Sequence, residues 1–163
     1  MDIEKLRFPI GKYIPNKNPD NQTIKKWIND INLFPIRLNE ITKDLTVEQL
    51  NWRYRPNGWK VKQVVHHCAD SHMNAFIRFK LAITEKRPII KPYNEAKWAE
   101  LIDSIDDNLE SSLNIISSLH KKWVKLIYSL NNDQLLLDFV HPEHGEIFNL
   151  NENIGNYAWH SNH

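Results

Sequence analysis

The sequence is poor in cysteine and in glycine. Of its 163 residues one is a cysteine, Cys68, and four are glycines. A lone cysteine excludes an internal disulfide, and it also excludes a zinc site built from several thiolates. The few glycines leave long stretches without a helix breaker, so helices are expected to dominate the fold.

Charge of one sign and long apolar runs are also absent. Twenty-one Lys and Arg oppose 20 Asp and Glu, for a net charge of +1 with no long block of one sign. This balance argues against nucleic acid or an anionic membrane as partner. No apolar run approaches the roughly 18 to 20 residues that cross a bilayer, and the start MDIEKLR does not resemble a signal peptide. We therefore expect a cytoplasmic protein that acts on a small-molecule substrate, without nucleic-acid or membrane partners.

Apolar residues recur at helical spacing in four segments, which predict four long amphipathic helices. A capping box at Thr46 and Gln49 predicts a short helix between the first two. The run AKWAELI predicts another, an extended arm precedes the first long helix, and a small hairpin or loop is expected between Asp138 and Leu150. Such helices pack most simply as a bundle, so we predict an all-α four-helix bundle formed by one domain, 1–163. The expected long helices run from Ile24 to Leu45 with a kink at Pro35, from 60 to 85, from Asp106 or Asp107 to Leu130, and onward from an N-cap at Asn151.

One polar stripe on the second long helix stands beside its apolar stripe. His67, Ser71, Asn74 and Arg78 follow one another at steps of four, three and four residues, so they share a helix face. An arginine in such a stripe can bind a carboxylate through two parallel hydrogen bonds. The stripe is either one wall of a substrate groove or an ordinary polar face in water.

The remaining histidines and Cys68 each have an expected environment. His66 is expected in solvent and His72 inside the core with a hydrogen-bond partner. Cys68 falls on the apolar stripe and is expected to be buried rather than nucleophilic. On the last helix, His160 and His163 are three residues apart and can share a face. The histidines expected to be solvated side chains are His120, His141 and His144.

The segment GWKVKQVVHHCADSHMNAFIRFK, residues 58–80, and the segment YAWHSNH, residues 157–163, resemble the DinB/YfiT-like superfamily. The likeness is greatest to the YfiT-type metal-dependent hydrolases and bacillithiol S-transferases of Bacillus-type bacteria. It implies a homodimeric four-helix bundle that holds a divalent metal, zinc, nickel or manganese, through three histidines. Two of them correspond to His67 and His160, and the third corresponds to a position four residues after His160. The chain is thus expected to lack the end of its last helix, with His163 as the alternative third ligand.

The resemblance implies metal-dependent transfer of a low-molecular-weight thiol, such as bacillithiol, to an electrophile. The first alternative is hydrolysis of an amide or ester by water that the metal activates. The second alternative is a non-catalytic, stress-related binding module in which Trp98 and Trp123 lie at a partner surface, whereas such aromatic residues are more often buried in the core. Ser71, Asn74 and Arg78 are the expected substrate-binding residues. No catalytic residue is assigned, although Asp70 could orient a ligand imidazole or be an exposed carboxylate.

Overall fold

The computed structural model describes residues 2–143 and 145–163, so the expectation for His144 lies outside the described residues. Among the described residues four helices are long, four are short, and two strands form a hairpin. The elements are α1 (Ile3–Arg7), α2 (Asn21–Thr42), α3 (Val47–Leu50), α4 (Val61–Thr84), α5 (Glu95–Trp98), α6 (Glu110–Tyr128), α7 (Asn132–Leu135), β1 (Asp138–His141), β2 (Glu146–Asn149) and α8 (Leu150–Asn162).

The long helices α2, α4 and α6 and the last helix, α8, form the predicted bundle. Helix α2 packs against α6 and α8, and helix α4 packs against the same two. Strands β1 and β2 form the predicted antiparallel hairpin, in which Phe139 pairs with Phe148. Within the described part of the chain, every helix is too short or too polar to span a lipid bilayer.

The short helix after α2 begins where the sequence predicted it, because Thr46 and Gln49 form a capping box. Two other predicted starts were wrong. Asn149, not Asn151, is the N-cap of α8, and it forms a capping box with Glu152. Helix α6 begins at Glu110 instead of Asp106 or Asp107. The side chains of Asp106 and Asn108 accept backbone N–H groups two residues ahead, which forms two successive turns before the helix.

The N-terminal arm contacts the last helix, and it contains the short helix α1, which the sequence did not predict. The Tyr13 hydroxyl donates a hydrogen bond of 2.9 Å to the Glu152 carbonyl. The indole N–H of Trp159 donates one of 3.0 Å to the Gly11 carbonyl. These bonds attach the arm along α8, the helix that carries His160.

Pro35 lies inside α2, and the helix continues past it to Thr42. Because proline has no backbone N–H, residue 35 cannot donate to the carbonyl of Ile31, four residues earlier. That carbonyl instead accepts a hydrogen bond of 2.7 Å from His120 on α6. The proline therefore leaves a backbone acceptor of α2 open to a side chain of another helix.

The close approach of α8 to α2 depends on Gly155. A Cβ atom at this position would lie 2.9 Å from the Trp27 ring of α2 and 2.9 Å from the Tyr13 hydroxyl of the arm. Both distances are shorter than normal van der Waals contact, so any larger residue must push these groups aside.

We predict that Gly155→Ala lowers the free energy of unfolding by roughly 1 to 3 kcal/mol, because overpacking outweighs the gain in helix propensity. Urea denaturation followed by circular dichroism measures this change. The control is Ser118→Ala, an exposed position in α6, where the same new residue should be neutral or slightly stabilising. Equal stability of the two variants would contradict the prediction.

Candidate metal centre

Helices α4 and α8 bring His67 and His160 together. Their ring centroids are 5.6 Å apart and the rings meet at an interplanar angle of 61°. The Trp59 ring covers His67 from the start of α4, at 4.8 Å between centroids. Two imidazoles from distant parts of the sequence therefore meet at one place, as the family resemblance implied.

Both rings are held in the neutral form. Burial lowers the pKa of His67 to about 4. Burial also lowers the pKa of His160 to about 3, and neighbouring His67 and His163 act in the same direction. Neutral imidazole is the form that binds a metal ion, because the charged form has no free lone pair.

His67 and His160 differ in their hydrogen bonds. Among residues 2–143 and 145–163, neither ring nitrogen of His67 has a hydrogen-bond partner. His160 Nδ1, in contrast, lies 2.9 Å from His72 Nε2. The site thus combines one imidazole with two open nitrogens and one with a fixed partner.

His72 begins a row of buried imidazoles that leads away from His160. Its Nδ1 lies 2.7 Å from His120 Nε2, and His120 Nδ1 lies 2.7 Å from the Ile31 carbonyl oxygen. We call His160, His72 and His120 the histidine chain. The buried, hydrogen-bonded environment predicted for His72 is confirmed.

Two histidines expected in solvent are buried. The expectation for His120 was wrong, because the ring is 1% exposed and is bonded to α2 through the carbonyl that Pro35 leaves open. The expectation for His66 was also wrong. Its Nδ1 lies 2.8 Å from Ser112 Oγ and its Nε2 lies 3.0 Å from the Asp106 carbonyl. The segment before α6 covers this face of α4, which the α4 sequence by itself does not indicate.

His141 ends strand β1 and is partly buried, so its expected solvation is only partial. Cys68 is buried as expected, and burial raises the pKa of its thiol to about 12. A thiol in this state is a poor nucleophile. The structure therefore gives no support to a cysteine mechanism.

His163 does not join His67 and His160. Its Nε2 forms a hydrogen bond of 2.7 Å with the Arg7 carbonyl, and its ring packs on Trp159 at 4.6 Å between centroids. Among the residues that the structure describes, no three His, Cys, Asp or Glu side chains form a group that could hold a metal ion. Within the described residues, the imidazoles of His67 and His160 are the two predicted site residues that lie together.

The polar stripe of α4 continues from His67 toward Arg78. Ser71 Oγ lies 3.3 Å from the Tyr157 hydroxyl, which also donates to the Ser71 carbonyl at 3.0 Å. Asn74 Nδ2 donates to the Asp70 carbonyl at 2.9 Å, so its amide is bonded to its own helix. Further along the stripe, the buried Nε of Arg78 has no partner within the described part of the chain.

Arg78 lines a cavity of about 450 Å³ between α4, the α5 region and the end of β1. Glu95 and Glu143 line the same cavity. Burial raises the pKa of Glu95, while Arg78 lowers it and Glu143 raises it. The Arg78 guanidinium thus shares this cavity with two carboxylates.

Two other residues fall outside the expected roles. Asp70 has no hydrogen bond to His67 in the described structure, and burial together with Asp103 raises the pKa of its carboxyl. Trp123 is 0% exposed, so of its two expected places the structure shows the core and not a partner surface. Trp98 is partly buried against Tyr93, at 4.4 Å between ring centroids.

The sequence profile of the DinB superfamily matches residues 35–163, which include both histidines. The chain belongs to the DinB superfamily. It is 51% identical over 161 residues to a Bacillus cereus (strain 03BB102) protein called "Putative metal-dependent hydrolase", and the match covers 99% of this chain and 92% of that protein. A Bacillus anthracis (strain CDC 684 / NRRL 3495) protein of the same description is 50% identical with the same coverage.

A solved relative has the same fold. YfiT from Bacillus subtilis is 42% identical to this chain with a TM-score of 0.95, over 98% of this chain and 91% of YfiT. It is described as "a probable metal-dependent hydrolase with an unusual four-helix bundle topology". The likeness confirms the predicted family and the predicted bundle.

Proposed function

We propose that this protein is a divalent-metal-dependent enzyme and that His67 and His160 are two of its metal ligands. The observation that carries the proposal is the meeting of two neutral imidazoles from α4 and α8, 5.6 Å apart between centroids. When bound, the metal supplies a Lewis acid that polarises a carbonyl and favours the ionised form of a bound water or thiol.

The residues present fit such an ion. Zinc lies 2.0–2.1 Å from an imidazole nitrogen, which places it about 3.2 Å from the ring centroid. Two rings that share an ion therefore have centroids no more than about 6.4 Å apart, and the observed separation satisfies this limit. A ligand set of imidazoles without thiolates suits zinc and nickel, and a site with few protein ligands leaves positions for substrate.

For the reaction, we propose transfer of a low-molecular-weight thiol such as bacillithiol to an electrophile. Hydrolysis generally needs a protein base near the attacking water. In the described structure no carboxylate is hydrogen-bonded to His67 or His160. A thiol ionises with a pKa of about 8.5 and needs less help from a base. In the transfer, the sulfur–carbon bond forms as the bond to the leaving group breaks, and the thiol proton passes to solvent.

Hydrolysis of an amide or ester is the second candidate. It is favoured by the descriptions of the Bacillus relatives and of YfiT as metal-dependent hydrolases. The two reactions require the same metal ligands and differ in the co-substrate, so a direct assay separates them.

The proposal includes Ser71, Asn74 and Arg78 as substrate-binding residues. The unpaired Nε of Arg78 supports a contact with a carboxylate, since a buried donor without an acceptor is costly until a ligand supplies one. Ser71 acts with Tyr157, whose hydroxyl lies beside it. The Asn74 amide must leave the Asp70 carbonyl before it can bind a ligand.

The first prediction from this proposal concerns metal affinity. His67→Ala and His160→Ala should each weaken Co²⁺ binding by more than the roughly 10- to 100-fold typical of losing an outer partner of a ligand. Titration of the visible absorption of Co²⁺ measures this, with circular dichroism as the folding check. His163→Ala is the matched control, because His163 is bonded to the arm. The Co²⁺ affinity of this variant should equal that of the wild-type protein. Unchanged affinity in either of the first two variants removes that residue from the site.

The second prediction concerns the reaction. With added Zn²⁺, Ni²⁺ or Mn²⁺, the protein should conjugate bacillithiol to monochlorobimane, and a chelator should abolish this activity. Ester or amide turnover without thiol would support the hydrolase instead. Absence of all three activities with metal bound would support the non-catalytic binding module and contradict the proposed function.

The third prediction concerns Arg78. Arg78→Ala should raise the KM for an acidic thiol roughly 10- to 100-fold, the loss of one hydrogen bond to a charged group, while leaving Co²⁺ affinity unchanged. Arg78→Lys keeps the charge without the forked geometry, so its KM should lie between those of the wild-type protein and Arg78→Ala. Asn74→Ala should have a smaller effect in the same direction. Identical kinetics in all variants would place Arg78 outside the substrate site.

A further inference from the structure

We propose that the histidine chain, anchored at the Ile31 carbonyl, fixes His160 in the tautomer whose Nε2 lone pair is free. His72 and His120 are then positioning residues that act through His160. The metal-binding consequence of this proposal rests on the proposed function, but the tautomer itself is a property of the metal-free protein.

The anchor is an acceptor that cannot reverse its role. The Ile31 carbonyl oxygen can only accept a hydrogen bond, so the hydrogen in the 2.7 Å contact belongs to His120 Nδ1. Pro35 has no N–H to give this carbonyl, which leaves the carbonyl free of the helical hydrogen bond usual at that position. The sequence of α2 thereby creates one buried acceptor facing α6.

The direction of each further bond follows from the anchor. A neutral imidazole with hydrogen on Nδ1 has its lone pair on Nε2. His120 Nε2 therefore accepts from His72 Nδ1 at 2.7 Å, and His72 Nε2 accepts from His160 Nδ1 at 2.9 Å. His160 then carries hydrogen on Nδ1, and Nε2 holds the lone pair. A flip of any one ring to its other tautomer would set two donors or two acceptors against each other.

The surroundings keep the interior rings neutral. His72 is 0% exposed and His120 is 1% exposed. The Phe34 ring stacks on His72 and is tilted against His120, and the Trp123 ring meets both edge-on. No carboxylate is bonded to either ring among the described residues. An apolar enclosure without a counter-charge disfavours imidazolium.

Fixing the tautomer has a chemical use. A histidine ligand is oriented by the hydrogen bond that its second nitrogen makes, and the usual partners are a carboxylate, a backbone carbonyl or water. Here the Ile31 carbonyl of α2 orients His160 of α8 indirectly, through the hydrogen bonds of His120 and His72. Because the histidine chain is neutral, it fixes the tautomer of His160 without the negative charge that a carboxylate partner would place beside the metal.

The decisive experiment uses the metal-free protein with ¹⁵N-labelled histidine. Two- and three-bond ¹H–¹⁵N correlation spectra distinguish hydrogen on Nδ1 from hydrogen on Nε2 for each ring. We expect the Nδ1–H form for His160, His72 and His120 alike. An Nε2–H form at His160 in the wild-type protein would overturn the proposal, whatever any variant does.

Variants test whether the order is transmitted. His120→Leu breaks the connection between the Ile31 carbonyl and His72. His160 should then return to a mixture of tautomers. His120→Gln supplies an amide that can donate to Ile31 and accept from His72, so it should restore the Nδ1–H form. Ile127→Ala truncates another buried residue of α6 and controls for a general loss of core packing. A tautomer at His160 that is the same in the Leu and Gln variants would contradict transmission.

Co²⁺ affinity provides a second readout of the same variants. His120→Leu should weaken binding roughly 10- to 100-fold, as for other outer partners of a ligand, and His120→Gln should recover most of the loss. If the spectra show the expected tautomers but the wild-type protein binds no metal, the proposed function fails while the tautomer order stands. If metal binds at wild-type affinity in both variants, the positioning role fails while the proposed function stands.

Discussion

The hydrogen bond from His120 to the Ile31 carbonyl is the constraint on which the proposed metal centre depends. It joins α6 to α2 at the one place where Pro35 removes the usual donor. From there two imidazole contacts reach His160 on α8. The chain of bonds therefore crosses the bundle through residues of four helices, α2, α6, α4 and α8.

The hydrogen bonds of the histidine chain allow polar imidazoles to lie in an apolar core. A buried polar group left without a partner costs about 1 to 3 kcal/mol, and His72 and His120 are both almost completely buried. Because each nitrogen of both rings has a partner, the rings can lie among Phe34 and Trp123 without that cost. At His160 only Nδ1 has a hydrogen-bond partner in the described structure, so Nε2 remains available for a ligand. The core packing and the site are thus parts of one network.

The proposed substrate side of the site is built differently. His67 is covered by Trp59 and has open nitrogens, and the polar stripe beyond it leads to the unpaired Nε of Arg78. Glu95 and Glu143 share the cavity with that guanidinium, so a ligand bearing both an acidic and a basic group matches its charges better than a simple anion. An aminated acidic thiol has this character.

Sequence reasoning found what local periodicity encodes. The bundle, the capping box at Thr46 and the shared face from His67 to Arg78 follow from spacing along single helices, and the pairing of His67 with His160 followed from the family resemblance. It missed what depends on contacts between helices. The burial of His66 is due to the segment before α6, and the burial of His120 is due to a carbonyl on α2. Pro35 was expected to kink α2, and the sequence did not show that it also leaves the carbonyl four residues earlier to a side chain of another helix. The signal that could have suggested the Ile31–His120 bond is a proline one turn after a buried residue of one helix, together with a histidine on the apolar face of another helix.

The most direct test is anomalous diffraction from crystals of the protein soaked with Ni²⁺. The account predicts a single strong peak about 2 Å from His160 Nε2 and from one ring nitrogen of His67, with His160 Nδ1 still bonded to His72. A peak on His160 Nδ1, or a peak that touches neither ring, would contradict it.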